Sequence, residues 1–146
     1  MTAMTRDTVA IASDHAGYAL KEALKVELVA LGHRVLDLGT HGTERVDYPD
    51  FGHAMGSAIE KGEALRGVLV CGTGIGISMA ANHHSGVRAA VCHDTTTARL
   101  SRAHNDANVL ALGARIVGTE VAIDCLKVFL GSRFEGGRHK PRVDKI

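Results

Sequence analysis

Short apolar runs alternate along this chain with segments whose apolar residues recur at helical spacing. Five runs have the length of strands: residues 8–13, 34–39, 67–71, 87–92 and 108–113. The helices predicted between and after them cover residues 18–31, 49–61, 76 onward, 95–105 and 119–130. The strands are continuously apolar, which is typical of a sheet covered on both faces. The pattern therefore predicts an α/β fold, a three-layer αβα sandwich with a five-stranded parallel sheet.

The length and charge of the chain exclude several classes of protein. Its 146 residues fit a single domain, residues 1–146. Lys and Arg number 17 against 16 Asp and Glu, and aromatic residues make up 3%, so nucleic acid is not expected as a partner. No apolar run approaches the roughly 20 residues of a membrane span. The first ten residues lack the pattern of a signal peptide.

The three cysteines do not follow a metal-binding or redox spacing. An odd number of cysteines in a chain with an ample core is typical of a reduced protein, so a cytoplasmic location is expected. Cys125 lies among apolar residues of the last long helix, and Cys92 ends a predicted strand. Both are predicted to be core residues, and the same packing role is predicted for Met79.

Reactive residue types follow several of the predicted strands. Asp14 and His15 come after the first strand, Cys71 ends the third, His93 follows the fourth and Arg115 the fifth. In open parallel sheets, ligands bind beyond the carboxyl ends of the strands. These residues therefore mark the edge of the sheet where a site is expected.

The glycine-rich stretch after the third strand, CGTGIGIS (residues 71–78), does not fit a nucleotide loop. Gly72 and Gly74 match a dinucleotide fingerprint, but Ile77 stands in its third glycine position, and the lysine of a P-loop is missing. The helix that follows directs free N–H groups and its positive dipole end into the turn, which favours a phosphate or a reaction oxyanion. Cys71 is either a thiolate at this cradle or a small apolar residue of the core.

Two further polar clusters have a structural and a functional interpretation. His104 and its neighbours (HNDAN, residues 104–108) can cap a helix and turn the chain, or move protons. The tail sequence GGRHKPR is either a solvated basic segment or a phosphate clamp built from guanidinium groups. Gly136, Gly137 and Pro141 argue against a helix in this tail.

Five motifs in order, SDHAG, DYPD, CGTGIGISMAAN, HNDANVLALGAR and GGRHKPR, resemble those of the type B ribose-5-phosphate isomerases. The wider family includes the galactose-6-phosphate isomerase subunits, and the resemblance runs from about Val9 to the last residue. It implies a Rossmann-like sandwich that interconverts an aldose phosphate and a ketose phosphate without metal or cofactor. It also implies homodimers or tetramers with active sites at the subunit interface.

The resemblance assigns roles to individual residues. It implies Cys71 as the base, Thr73 in proton transfer among the sugar oxygens, and His104 in opening the sugar ring. Residues 131–146 are implied as a tail that contributes to phosphate binding. The implied substrate-binding residues are Asp14, His15, Tyr48, Gly72, Gly74, Gly76, Asn105, Arg115, Arg138, His139 and Arg142.

The expected reaction is the interconversion of D-ribose 5-phosphate and D-ribulose 5-phosphate through a cis-enediolate, with a thiolate base. One alternative is the same chemistry on a six-carbon sugar such as allose or galactose 6-phosphate. A second is a non-catalytic module that binds phosphosugars. A third, a thiol redox protein, lacks a resolving cysteine in the sequence.

Overall fold

A parallel sheet of five strands forms the centre of the protein, for which a computed structural model describes residues 8–146. The order of the strands across the sheet is β2-β1-β3-β5-β4, and every neighbouring pair is parallel. The strands are β1 (Thr8–Ser13), β2 (Arg34–Asp37), β3 (Arg66–Cys71), β4 (Ala89–Val91) and β5 (Val109–Gly113).

Helices follow the strands and cover both faces of the sheet. They are α1 (Tyr18–Ala30), α2 (Tyr48–Glu60), α3 (Ile75–Ala81), α4 (Thr95–Ala103), α5 (Thr119–Gly131) and α6 (Lys140–Val143), with a 3-10 turn at Gly137–His139. Residues of α1, α4 and α5 share one apolar cluster with the sheet, and residues of α2 and α3 share the other. The predicted three-layer sandwich is confirmed.

Alternation along the strands explains how one sheet supplies two cores. In β1, Val9 and Ile11 belong to one cluster, whereas Ala10 and Ala12 belong to the other, and all four are fully buried. Successive side chains of a strand point to opposite faces. A strand buried on both sides must therefore be apolar at every position, which is the pattern seen in the sequence.

The strand order places a crevice beside β1 and β3. From β1 the chain moves outward to β2, then returns across β1 to β3, so the direction of winding reverses between these two strands. Loops that leave their carboxyl ends diverge toward opposite faces of the sheet. Such a switch point is where ligands bind in doubly wound folds.

Some predicted boundaries differ from the structure. The fourth strand is Ala89–Val91, shorter than residues 87–92. The helix predicted over residues 95–105 ends at Ala103, and its cap is Asp94, whose carboxylate accepts a hydrogen bond from the Thr97 N–H at 2.6 Å. The strong Asp cap lies one residue before the first helical residue.

The tail is helical, so the expectation of a non-helical tail is wrong. The 3-10 turn and α6 follow directly on each other from Gly137 to Val143. Pro141 lies at the start of α6, where an N–H is not needed and the fixed φ of proline suits the helix.

The sequence also led us to expect that the chain has neither a signal peptide nor a membrane-spanning segment. The signal-peptide prediction falls mainly on residues 1–7, which lie outside the described residues. Within residues 8–146, every helix is too short or too polar to span a bilayer.

A buried lysine joins α1 to the edge strand β2, a contact that the sequence analysis did not predict. Lys21 is fully buried, and its Nζ donates to both carboxylate oxygens of Asp37 at 2.9 and 2.8 Å. Lys25 donates to the same carboxylate at 2.7 Å. Burial alone would raise the pKa of Asp37, but hydrogen bonds from Lys21, Lys25 and the Gly39 N–H outweigh it and hold that pKa at about 2.

The substitution Asp37→Asn should lower the free energy of unfolding at pH 7 by about 3 kcal/mol, because the buried Lys21 keeps Glu22 as its one carboxylate partner within residues 8–146. The folded pKa of about 2 lies below the ordinary 3.8. The carboxylate therefore contributes about 2 kcal/mol above about pH 4, and this contribution is lost as the pH falls through 2.

Urea denaturation of both proteins measures this difference. The control is Asp144→Asn, which removes the exposed ion pair with Lys140 and should cost less than about 1 kcal/mol. Equal losses in the two variants would contradict the importance assigned to the buried pair.

Candidate active site

A cavity of about 520 Å³ opens at the carboxyl ends of β1, β3 and β5. Eight residues predicted for the site line it: Asp14, His15, Tyr48, Cys71, Gly72, Thr73, Gly76 and Arg115. Ala16, Ile75 and Met79 complete its wall. The switch point of the sheet thus brings together residues from four separate segments, which follow β1, β2, β3 and β5.

The loop after β3 is held in place by the end of β5. Cys71 is in register with Gly113, and its carbonyl accepts the Ala114 N–H at 2.9 Å. The Gly72 carbonyl accepts the Arg115 N–H at 3.0 Å. A Cβ on Gly113 would lie 2.7 to 2.8 Å from the Thr73 backbone, so the two loops touch where only glycine fits. The sheet register therefore fixes Cys71 and Arg115 together.

The backbone N–H of Gly74 forms a hydrogen bond with the sulfur of Cys71. The nitrogen lies 3.1 Å from Cys71 Sγ, and Gly74 adopts φ +80, a left-handed conformation that favours glycine. Gly74 does not line the cavity. The Gly74 amide is therefore directed at the thiol, whereas Gly72 and Gly76 line the cavity. An N–H donor interacts more strongly with a thiolate than with a neutral thiol.

Cys71 differs from the other cysteines in its surroundings. It is 4% exposed and lines the cavity. Cys92 and Cys125 are buried in the core, as predicted. Burial raises the pKa of Cys92, and burial, with Cys92 nearby, raises the pKa of Cys125 to about 11. These two thiols stay neutral at physiological pH, and neither lines the 520 Å³ cavity.

The loop after β1 contributes an acid and an imidazole. Asp14 is buried, and its Oδ1 accepts the Gly17 N–H at 3.0 Å, so among residues 8–146 its Oδ2 can take a further hydrogen bond. Nδ1 of His15 accepts the Val46 N–H at 3.2 Å. In the neutral ring the proton must then lie on Nε2. His15 can therefore donate into the cavity without being charged.

Contacts with neighbouring side chains explain why glycine is needed at position 76 but not at position 72. A Cβ on Gly76 would lie 2.4 Å from the Tyr48 ring, so the ring occupies the space of a side chain. A Cβ on Gly72 would meet only Arg115, at an ordinary 3.5 Å. The protein itself therefore tolerates a side chain at Gly72, and the open space there belongs to the cavity.

Two apolar residues of α3 face outward at the cavity. Met79 is 64% exposed and Ile75 is 49% exposed. The prediction that Met79 packs in the core is wrong. Ile75 and Met79 are four residues apart on one face of the helix, whereas Ile77 and Ala81 face the sheet.

The other predicted residues form a separate surface. His104 ends α4, and its ring stacks on that of His139 with centroids 4.2 Å apart. Asn105 borders a different cavity of about 450 Å³. Arg138 and Arg142 are exposed on the tail. None of these five lines the 520 Å³ cavity within residues 8–146, so the chain presents two groups of predicted residues.

The second surface carries positive charge. Burial lowers the pKa of His139, and the charges of Arg138, His104 and Arg142 lower it further, against an opposing effect of Glu135. The tail is attached to α4 by a hydrogen bond from the Glu135 N–H to the Ala103 carbonyl at 3.0 Å. Sequence spacing gave no sign of this contact.

Residues 9–146 match the family described as Ribose/Galactose Isomerase. The chain is 47% identical over 138 residues to ribose-5-phosphate isomerase B of Escherichia coli (strain K12), covering 94% of this chain and 93% of that protein.

The chain is also similar in structure to solved ribose-5-phosphate isomerases B. Clostridium thermocellum ribose-5-phosphate isomerase B matches with a TM-score of 0.93 and 52% identity, over 94% of this chain and 93% of that one. The Mycoplasma genitalium ribose-5-phosphate isomerase B, determined with bound ribulose-5-phosphate, matches with a TM-score of 0.91 and 41% identity, over 94% and 92% of the two chains.

The two loop glycines should respond differently to alanine. Gly74→Ala should destabilise the protein by about 2 kcal/mol, because the residue has φ +80 and its Cβ would lie 2.9 Å from the Leu112 backbone. Gly72→Ala should change the free energy of unfolding by less than about 0.5 kcal/mol. Chemical denaturation of the pair measures this, and a larger loss at Gly72 would contradict the assignment of its space to the cavity.

Proposed function

The chain belongs to the ribose/galactose isomerase family, and from this premise we propose that it interconverts D-ribose 5-phosphate and D-ribulose 5-phosphate. The relatives named above are ribose-5-phosphate isomerases, and one was determined with ribulose-5-phosphate bound. The protein is an isomerase. We also propose a cytoplasmic location, which suits its three free cysteines.

One observation carries the proposal: Cys71 lies at a cavity that also contains Asp14, His15 and Arg115. A base, a hydroxyl acceptor and two donors suited to phosphate are the groups that a sugar phosphate isomerase needs. The cavity volume of about 520 Å³ accommodates a pentose phosphate.

Cys71 is proposed to act on the opened aldose as the thiolate. The sulfur removes the proton from C2, the C–H electron pair forms the C1–C2 double bond, and the carbonyl electrons move to O1. The proton then returns to C1, while the O2 proton is transferred to O1 with the help of Thr73. A base must stand within hydrogen-bond reach of the carbon, and the end of a buried strand fixes its position.

The backbone of the glycine loop is proposed to stabilise the enediolate. The first N–H groups of a helix have no acceptor within the helix, and α3 begins at Ile75 directly beside the cavity. Gly72 and Gly76 line the cavity, so their amides are candidates for the developing oxyanion. Fixed donors of this kind are often worth several kcal/mol. The Gly74 amide would act indirectly, through its bond to the sulfur.

Asp14 and Tyr48 are proposed to hold the sugar, and His15 and Arg115 its phosphate. Oδ2 of the buried Asp14 can accept a hydroxyl proton, and the Tyr48 ring forms one wall. Arg115 is exposed beside Gly72, and its guanidinium can pair with phosphate oxygens.

The second group of residues is proposed to complete the cavity of a partner subunit in a homodimer, which could pair further into a tetramer. His104, with Asn105, would open the sugar ring. Arg138, Arg142 and His139, on the tail of residues 131–146, would bind the phosphate. Exposed Ile75 and Met79 at the cavity give the apolar surface that such a contact needs.

Replacing the proposed base tests the reaction. Cys71→Ala should lower kcat for ribose 5-phosphate by at least about 100-fold while binding of the sugar phosphate stays measurable. The control Cys125→Ala, in the core, should keep its activity. Conversion of ribose 5-phosphate without added metal is the assay, with allose and galactose 6-phosphate as comparison substrates.

Retained activity in Cys71→Ala would show that another group is the base. A higher kcat/KM for a hexose phosphate would overturn the substrate assignment. Failure of the unaltered protein to convert any of the three sugars would favour the binding module.

Mixing two inactive variants tests the shared site. If Cys71 and His104 of one active site come from different subunits, heterodimers of Cys71→Ala and His104→Asn contain one intact site out of two. Random pairing of equal amounts should then restore about a quarter of the unaltered activity. No recovery after subunit exchange, verified by native mass spectrometry, would contradict a site shared between subunits.

A further inference from the structure

Three potential metal ligands lie together where the tail meets α4. One ligand atom from each of His104, Glu135 and His139 lies within 4.8 Å of the other two. This is the one such group of three or more ligands found within residues 8–146. It lies outside the 520 Å³ cavity.

The distances approach those of a metal site. Oε1 of Glu135 lies 3.6 Å from Nε2 of His139 and 3.9 Å from Nε2 of His104. Ligands bound to Zn²⁺ at about 2.1 Å in a tetrahedral arrangement lie about 3.4 Å apart. Movements of a few tenths of an ångström would therefore bring these two pairs to coordination distance. The stacked imidazoles, whose planes are 14° apart, would rotate against each other as the ion binds so that both nitrogens face it.

His139 supplies an independent sign of a ligand. Its side chain is 8% exposed, and its buried Nε2 has no hydrogen-bond partner among the described residues. A buried polar nitrogen without a partner is costly and calls for an explanation. The nitrogen faces Glu135 Oε1 at a distance too long for a hydrogen bond but suitable for a shared ion.

We propose that His104, Glu135 and His139 form a binding site for a divalent cation of the Zn²⁺ type. Two imidazoles and one carboxylate suit Zn²⁺, and three protein ligands leave a fourth position for water. Glu135 is exposed, so an ion can reach the site from solvent.

Occupancy of the site would inhibit the enzyme, a consequence that rests on the proposed function. His104 is assigned there to ring opening and His139 to the phosphate. An ion that engages both nitrogens removes them from the substrate. The protein would then be switched off by free Zn²⁺ and restored by a chelator.

Calorimetric titration of chelator-treated protein with ZnCl₂ tests the site without reference to activity. One ion should bind per chain, and Glu135→Gln should weaken binding at least about tenfold. The matched control is Glu120→Gln, an exposed residue at the start of α5, which should bind as the unaltered protein does. A second control is Glu60→Gln. Glu60 belongs to another group of one glutamate and two histidines, in which the His84 ring forms hydrogen bonds with both Glu60 and His53.

Activity assays add a second readout. Zn²⁺ should inhibit the unaltered protein reversibly, and the activity that Glu135→Gln retains should resist inhibition. Absence of binding, equal binding in Glu135→Gln, or loss of binding in Glu60→Gln or Cys71→Ala would each overturn the proposal. Because binding is measured separately, an inactive protein that still binds Zn²⁺ through Glu135 would contradict the proposed function but not the metal site.

Discussion

The parallel pairing of β3 with β5 is the constraint on which the candidate site depends. It places Cys71 beside Gly113 and ties the two following loops together through the Cys71 and Gly72 carbonyls. Both strands are buried on both faces, so their register cannot slip without exposing apolar residues. The position of the sulfur, the atom proposed to act as the base, is therefore set by the packing of the core.

The backbone of the turn between β3 and α3 has two effects around the Cys71 sulfur. The turn that carries the chain from β3 into α3 leaves space beside Gly72, and its Gly74 amide binds the sulfur. Preorganised donors of this kind need little movement when charge develops nearby. The guanidinium of Arg115 lies beside Gly72 at the same cavity, and those of Arg138 and Arg142 lie on the tail.

The sequence predicted the layers and the edge of the sheet at which the site lies, because uninterrupted apolar runs and strand ends are local features. Eight of the residues predicted for the site meet at one cavity for this reason. Local patterns could not show that the Gly74 amide faces sulfur, that Met79 points outward from a seven-residue helix, or that Lys21 is buried against Asp37. The stacking of His104 on His139 also depends on contacts between distant segments. These features are set by tertiary packing.

The central claim is that a proton, rather than a hydride, leaves C2 of the sugar to a base at the cavity. Equilibration of ribose 5-phosphate by the protein in D₂O, followed by NMR of both sugar phosphates, tests it most directly. The account predicts that deuterium accumulates at C2 of ribose 5-phosphate and C1 of ribulose 5-phosphate over repeated turnovers. Full equilibration with no deuterium on either carbon would contradict it.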